Sequence, residues 1–216
     1  MKKCRIVIVD DHPIVRKGFA QLINREEDLE TVGEAEDDVS AARVVEESAP
    51  DLILIDLSLK ESDGLELVKY FSSAEPELKM LVISLHDEKV YAERALRAGA
   101  SGYIMKSEAT EKVMTAIRQV IKGDIYLSDT MRERFIANYT GRSGPQESNG
   151  VEQLSDREFE VFRFIGEGLE TREIALRLNL SVKTIETYKS HLKSKLNLSS
   201  STELIQRAFE WNLLQR

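Results

Sequence analysis

Short apolar runs rich in branched side chains recur along the first half of the chain, at Ile6 to Val9, Leu52 to Ile55, Leu81 to Ile83 and Tyr103 to Met105. Unbroken runs of this length are the signature of parallel strands buried on both faces. Between them the apolar positions change to a helical period. His12-Pro13 puts a proline in a first helical turn, and Ile14, Val15, Phe19, Leu22 and Ile23 then share one face. Helical patterns also occupy Val39 to Glu47, Leu65 to Phe71, Val90 to Ala98 and Val113 to Ile121, and a less regular strand pattern lies at Leu29 to Glu34. Alternation of this kind over residues 1–121 predicts an α/β domain, a doubly wound five-stranded parallel sheet.

After residue 121 the pattern loses its strands. A helical stretch from Ser128 to Tyr139 leads into residues 140–150, TGRSGPQESNG, which contain no apolar side chain and read as an exposed linker. Beyond it Ser155-Asp-Arg-Glu158 is a capping box ahead of Val161, Phe162 and Ile165. A short helix holding Ile174, Ala175 and Leu178 follows, then a tight break at Asn179-Leu180. Ser181 caps a third helix with Ile185, Tyr188, Leu192 and Leu196 expected on its buried side. Ser200 and Glu203 repeat the capping spacing before Leu204, Ile205, Ala208 and Phe209. Four helices, the middle two joined by a very short turn, predict a small all-α helix-turn-helix domain. The expected division is therefore residues 1–121, a helix and flexible linker over 122–150, and a second domain over 151–216.

Charge follows the same division. Lys+Arg number 30 and Asp+Glu 38 over the whole chain, net −8, yet residues 1–121 carry 16 and 24 of them while residues 151–216 carry 10 and 10. All the excess acid thus belongs to the first part, and a nucleic-acid function must be judged locally in the second. The single cysteine, Cys4, has no disulfide or zinc partner and is expected to be a buried, inert thiol. Met1-Lys-Lys-Cys-Arg5 runs into a strand pattern too short for a signal-peptide core or a membrane span, so a soluble cytoplasmic protein is expected.

Asp10, Asp11, Asp56, Ser84 and Lys106 each stand at or just past the end of an apolar run. Right-handed crossovers make the strands parallel, so all these ends share one sheet edge and the five residues meet in one cleft. Three carboxylates there repel one another unless a cation joins them, and Mg²⁺ binds through one or two carboxylates plus phosphate oxygens and water. Lys106 offers a point charge to a phosphoryl oxygen and Ser84 a hydroxyl. Singly, each residue would pass as a helix cap or a loop polar. Five in order on successive strand ends describe a metal and phosphoryl site. His12 and His86 lie near this cleft without the partner spacing of a zinc site.

These residues carry a resemblance. Val9-Asp-Asp11, Leu54-Ile-Asp-Leu57, Asp63-Gly64, Val82-Ile-Ser84 and Ala98-Gly-Ala-Ser-Gly-Tyr-Ile-Met-Lys106 resemble the receiver domain of two-component response regulators, over residues 3–121. The resemblance implies a flavodoxin-like fold and an Asp56 that accepts a phosphoryl group from a phosphohistidine on a sensor kinase. It implies Mg²⁺ held by Asp10, Asp11, Asp56 and the backbone carbonyl of Ser58. It also implies that Ser84 is drawn to the phosphoryl group and that Tyr103 turns inward as an aromatic switch, with plain core packing as the other reading of Tyr103. One departure is Lys60, where many receivers have proline. With no general acid in sequence beside Asp56, slow self-dephosphorylation is the most enzyme-like behaviour expected.

In the second domain, the helix from Val182 to Leu196 places Lys183, Glu186, Thr187, Ser190 and Ser194 opposite Ile185 and Leu192, flanked by Lys189, Lys193 and Lys195. Small polar groups between lysines suit a major groove. A carboxylate, Glu186, is the exception, and earns a place only by accepting a hydrogen bond such as that of cytosine N4. Leu154-Ser-Asp-Arg-Glu158, Glu167-Gly-Leu-Glu-Thr-Arg-Glu-Ile-Ala175 and Leu180-Ser-Val-Lys-Thr-Ile-Glu-Thr-Tyr188 look like the LuxR-type helix-turn-helix, which makes the chain similar to NarL/FixJ-type response regulators. That resemblance implies binding of double-stranded DNA, with Glu186, Thr187 and Ser190 at bases and Lys183, Thr184, Lys189 and Lys193 as further contacts. It also implies a homodimer, formed on DNA or on phosphorylation, through a last helix using Ile205 and Ala208. Glu170 and Tyr188 stand where the family often has serine and histidine.

Overall fold

The computed structural model describes residues 3–59, 63–140 and 150–214. Lys60 and residues 141–149 of the expected linker lie outside the described residues. Two compact units are present, Met1–Arg142 and Ser143–Arg216.

In the first unit strands and helices alternate: β1 (Cys4–Val9), α1 (Pro13–Asn24), β2 (Leu29–Ala35), α2 (Asp38–Ser48), β3 (Leu52–Asp56), α3 (Gly64–Ala74), β4 (Lys79–Ser84), α4 (Glu88–Ala98), β5 (Gly102–Met105) and α5 (Lys106–Ile121). All pairings are parallel, in the order β2-β1-β3-β4-β5. The side-chain period of two sends Ile6, Ile8, Leu52, Leu54, Leu81 and Ile83 into one core with Ile23 of α1 and Val113, Ile117 and Val120 of α5. Val7, Val9, Ile53, Ile55 and Val82 alternate with them and are equally buried. Burial on both faces is why these strands read as unbroken apolar runs. The strand order reverses between β1 and β3, so their carboxyl ends flank the crevice where doubly wound sheets bind ligands.

Sequence patterning ends the domain at residue 121, whereas the compact unit runs to Arg142. The chain leaving α5 turns back along the sheet, and Tyr126 bridges Gly102 in parallel, its amide donating to Ser101 and its carbonyl accepting from Tyr103. Tyr126, Leu127 and Met131 are buried, and α6 (Asp129–Tyr139) follows, packed near α4 with Ser128 Oγ donating to Glu88 at 2.9 Å. Cys4 is only half-buried, at the start of β1 rather than inside the core.

The second unit is helical: a short 3-10 turn at Val151–Gln153, then α7 (Asp156–Gly166), α8 (Thr171–Arg177), α9 (Val182–Lys195) and α10 (Ser201–Leu214). Ser155 and Glu158 form the expected capping box, and Asn179, at φ 53°, makes the left-handed break between α8 and α9. Trp211 of α10 meets Phe159 and Phe162 of α7 edge-on, with centroids 5.4 and 5.7 Å away. A Cβ on Gly166 would lie 2.4 Å from the Ala208 carbonyl oxygen, so glycine sets how closely α7 and α10 approach.

A candidate phosphoryl site and a candidate nucleic-acid interface

Asp10 follows β1, Asp56 ends β3, Ser84 ends β4 and Lys106 follows β5. Register alone therefore brings the five expected residues to one edge. Asp10, Asp11, Asp56 and Ser84 are buried, Asp56 with 2% of its surface exposed. Lys106 Nζ lies 2.7 Å from Asp10 Oδ2 and 2.8 Å from Asp56 Oδ2. Burial pushes the Asp56 carboxyl above the ordinary range, against the opposing pull of Lys106. Burial alone would lower Lys106, but Asp56 and Asp10 outweigh it and hold the ammonium above its usual value.

Gly64 starts α3 directly beneath this site. A Cβ there would fall 2.4 Å from the Asp56 carbonyl oxygen and 2.5 Å from Leu57 Cα, so only glycine lets α3 begin so close to the acceptor strand. Neither Asp10 nor Asp11 is the cap of α1; His12 holds that position, and its amide donates to Asp10 Oδ1 at 2.8 Å.

A divalent cation fits the donors present. One ligand atom each from Asp10, Asp11, His12 and Asp56 lies within 4.8 Å of the others. Three carboxylates against one ammonium leave a formal −2 among hard oxygen donors, the preference of Mg²⁺. His12 Nδ1 approaches Asp11 Oδ1 at 2.6 Å, which sets the imidazole to orient that carboxylate.

His86 has more to do than its sequence position announced. Its Nε2 is 3.0 Å from Ser58 Oγ, its ring stacks on Tyr91 with centroids 4.5 Å apart, and its amide donates to Ser84 Oγ at 3.1 Å. Ser58 in turn donates its amide to Asp56 Oδ1 at 3.2 Å. Tyr103 is buried with its hydroxyl donating to the His86 carbonyl at 2.8 Å, and burial drives the phenol pKa up. The signal was available: His86 falls two residues after a strand-end hydroxyl, in the connection between β4 and α4.

The second expected site lies on α9. Ile185 and Leu192 are buried, whereas Tyr188 and Leu196 are only half-buried, so the packed face is narrower than periodicity suggested. Lys183, Glu186, Thr187 and Ser190 are exposed, and Lys193 is half-buried. Thr184 serves the start of the helix: its amide donates to Ser181 Oγ at 3.1 Å and its hydroxyl lies 2.8 Å from the same oxygen. Lys195 is drawn back to Glu158 Oε2 at 2.6 Å, away from the set flanking the polar face. Lys189 is 3.1 Å from Glu186 Oε1 and its side chain only 17% exposed.

On α10 the expected pairing face needs correction. Ile205 is 53% exposed, but Ala208 is wholly buried against α7. Helical phase explains this: Phe209 and Leu213, four and eight residues on from Ile205, share its exposed side, and Ala208 turns into the core.

Comparison with known proteins gives both units a family. Residues 6–118 match the response regulator receiver domain, and residues 152–208 match the bacterial regulatory proteins of the luxR family. The oxygen regulatory protein NreC of Staphylococcus carnosus (strain TM300) is 36% identical over 215 residues, covering 97% of this chain and 99% of the relative. NreC of Staphylococcus aureus (strain JH9) is 37% identical over 215 residues, covering 98% and 99%. Among solved structures, RcsB from Salmonella enterica serovar Typhimurium, bound to promoter rprA in the presence of the phosphomimetic BeF3-, is similar with a TM-score of 0.75 and 26% identity, covering 96% of this chain and 99% of that one. With a buried acidic cleft at the sheet's switch point, a helix-turn-helix later in the chain and relatives matched over nearly their whole length, the chain belongs to the NarL/FixJ-type two-component response regulators, transcription regulators with a receiver domain and a LuxR-type DNA-binding domain.

Proposed function

We propose that Asp56 takes a phosphoryl group from a phosphohistidine on a sensor histidine kinase, and that this event controls DNA binding by α9 in the cytoplasm. The observation that carries the reading is Lys106 Nζ, held 2.7 and 2.8 Å from Asp10 and Asp56 at the buried strand ends. An Asp56 carboxylate oxygen attacks phosphorus, a P–O bond forms, the P–N bond breaks and the imidazole leaves with the electron pair. Burial favours this nucleophile by stripping water from it, and Lys106 stands where a phosphoryl oxygen gains a charge-assisted hydrogen bond. Mg²⁺, held by Asp10, Asp11, Asp56 and the Ser58 carbonyl, would supply the charge that lets two anions meet.

Ser84 and Tyr103 are the residues placed to report the new group. Tyr103 touches the His86 carbonyl and Ser84 the His86 amide, so a pull on Ser84 is felt by Tyr103 and by Tyr91 of α4. Next to that face lie Ser128 and α6, the start of the segment leading toward the second unit. The cleft stores a phosphoryl group and loses it slowly; it is a phosphoacceptor rather than a turnover enzyme. Pairing of two chains on DNA would use Ile205, Phe209 and Leu213 of α10.

The test is uptake of label from acetyl phosphate with Mg²⁺. Wild-type protein is expected to acquire an acid-stable, base-labile label, and Asp56→Asn to acquire none. Equal labelling of the variant sinks the proposal.

A further inference from the structure

A carboxylate on a helix that lies among phosphates is unfavourable unless its charge is matched nearby and its oxygens accept hydrogen bonds. Glu186 is matched from inside the protein. Its Oε1 accepts from Thr171 Oγ1 at 3.2 Å and from Lys189 Nζ at 3.1 Å, and the same ammonium donates to Thr171 Oγ1 at 3.1 Å. The triangle is chemically complete: the one hydroxyl proton of threonine goes to the carboxylate, and its lone pair receives the ammonium. Thr171 is the first residue of α8, so the triangle ties together the two helices of the helix-turn-helix.

Two consequences follow for α9. Both bonds fall on Oε1, leaving Oε2 as the acceptor presented by a side chain that is otherwise 56% exposed. Lys189 is committed to this carboxylate, and Lys193, one turn further on, adds only a longer-range attraction to it. The donor that Oε2 suits is a single exocyclic amine without an acceptor beside it. Cytosine N4 meets that description in the major groove; adenine N6 sits beside N7, an acceptor to which a carboxylate has no proton to give.

We propose that Glu186 is the specificity-determining residue of α9, reading cytosine N4 through Oε2, with Thr171 as its positioning residue and Lys189 as its internal counter-ion rather than a phosphate contact. This rests on the reading of α9 as the helix that enters DNA.

The experiment selects preferred sites from a randomised duplex pool with the full-length wild-type chain, with and without acetyl phosphate, and then measures affinities on single-base variants. Wild type is expected to demand a C·G pair at one position of each half-site, and replacing that pair to weaken binding about tenfold. Thr171→Val is expected to lose most of that preference while the other positions keep theirs, and Thr171→Ser to restore it. Glu186→Gln is expected to move the preference at that position toward adenine, because an amide can both accept from N6 and donate to N7. Lys189→Met is expected to leave the dependence of log affinity on log salt unchanged. The inference is overturned if Thr171→Val selects the wild-type sequence with undiminished discrimination, or if Lys189→Met lowers the salt slope by roughly one, the mark of a lost phosphate contact. A wild-type chain that binds no duplex in either condition overturns the reading of α9 itself, a result distinct from both.

Discussion

Two lysines show how differently the units treat charge. Lys106 lies between Asp10 and Asp56 with 12% of its side chain exposed, in a cleft that holds a third carboxylate on Asp11. Lys189, at 17% exposed, pairs with one carboxylate, Glu186, and Lys195, at 42%, with one, Glu158, among the described residues. The first unit therefore gathers more carboxylates than ammonium groups in a buried place, whereas in the second Lys183 and Lys193 form no ion pair among the described residues. Charge that is matched holds the fold; charge left over selects the ligand. A net of −8 on the first part and zero on the second could not have said which cations and anions were already spoken for.

The largest effect should come from the buried side of this comparison. Lys106→Met leaves Asp10 and Asp56 without their ammonium, and breaking a buried pair costs about 3 kcal/mol or more. Without Mg²⁺ the first unit is expected to lose that much stability, read as faster amide exchange in β1 and β3, and added Mg²⁺ is expected to restore more in the variant than it adds to wild type. Unaltered exchange would mean the cleft does not depend on its ion pair.

Next is the close approach of α7 and α10. Gly166→Ala forces its Cβ against the Ala208 carbonyl, and overpacking of this kind costs about 1–3 kcal/mol. Trp211 is the single tryptophan, so its fluorescence follows unfolding of the second unit alone. A midpoint equal to wild type would show that the helices separate at no cost.

A smaller effect tests matched charge in the second unit. Burial would raise the Glu158 carboxyl, but Lys195 and Ser155 outweigh it and hold its pKa below the ordinary range. A depressed folded pKa means stability that is fully present above the unfolded carboxylate pKa and is lost as pH falls through the folded one. Acid should therefore weaken the Trp211 unit, and Glu158→Gln should flatten the curve in that window. The smallest effect concerns unmatched charge: Lys193→Ala should lower the salt slope of DNA binding by about one while Lys195→Ala lowers it by less. Equal losses would dissolve the distinction between the two lysines.

Much of this was legible in the residues. Runs such as Leu52 to Ile55 are apolar throughout because the sheet is covered on both faces, so the strands and their order of ends could be read directly. Capping boxes and the Asn179 break are local chemistry and were equally plain. Three things were not. Tyr126 bridging Gly102 is a contact between remote segments with no periodic signal, so the pattern did not show that the chain after residue 121 packs along the sheet. Ala208 satisfies the apolar pattern of α10 whether it faces a partner or its own core, and only its burial in the folded unit decides. Lys195 and Lys189 look like any lysine on a basic helix until Glu158 and Thr171 are found beside them.

That Asp10, Asp11, Asp56, Ser84 and Lys106 meet follows from the residue pattern, because parallel strands of right-handed connection bring their ends to one edge whatever the details of packing. Which of the charged groups are already paired emerges only from the folded chain. Pairing depends on side chains from separate elements converging within hydrogen-bond reach, as Thr171, Glu186 and Lys189 do across α8 and α9. Distances of that kind are set by the packing of helices and not by the spacing of residues along any one of them.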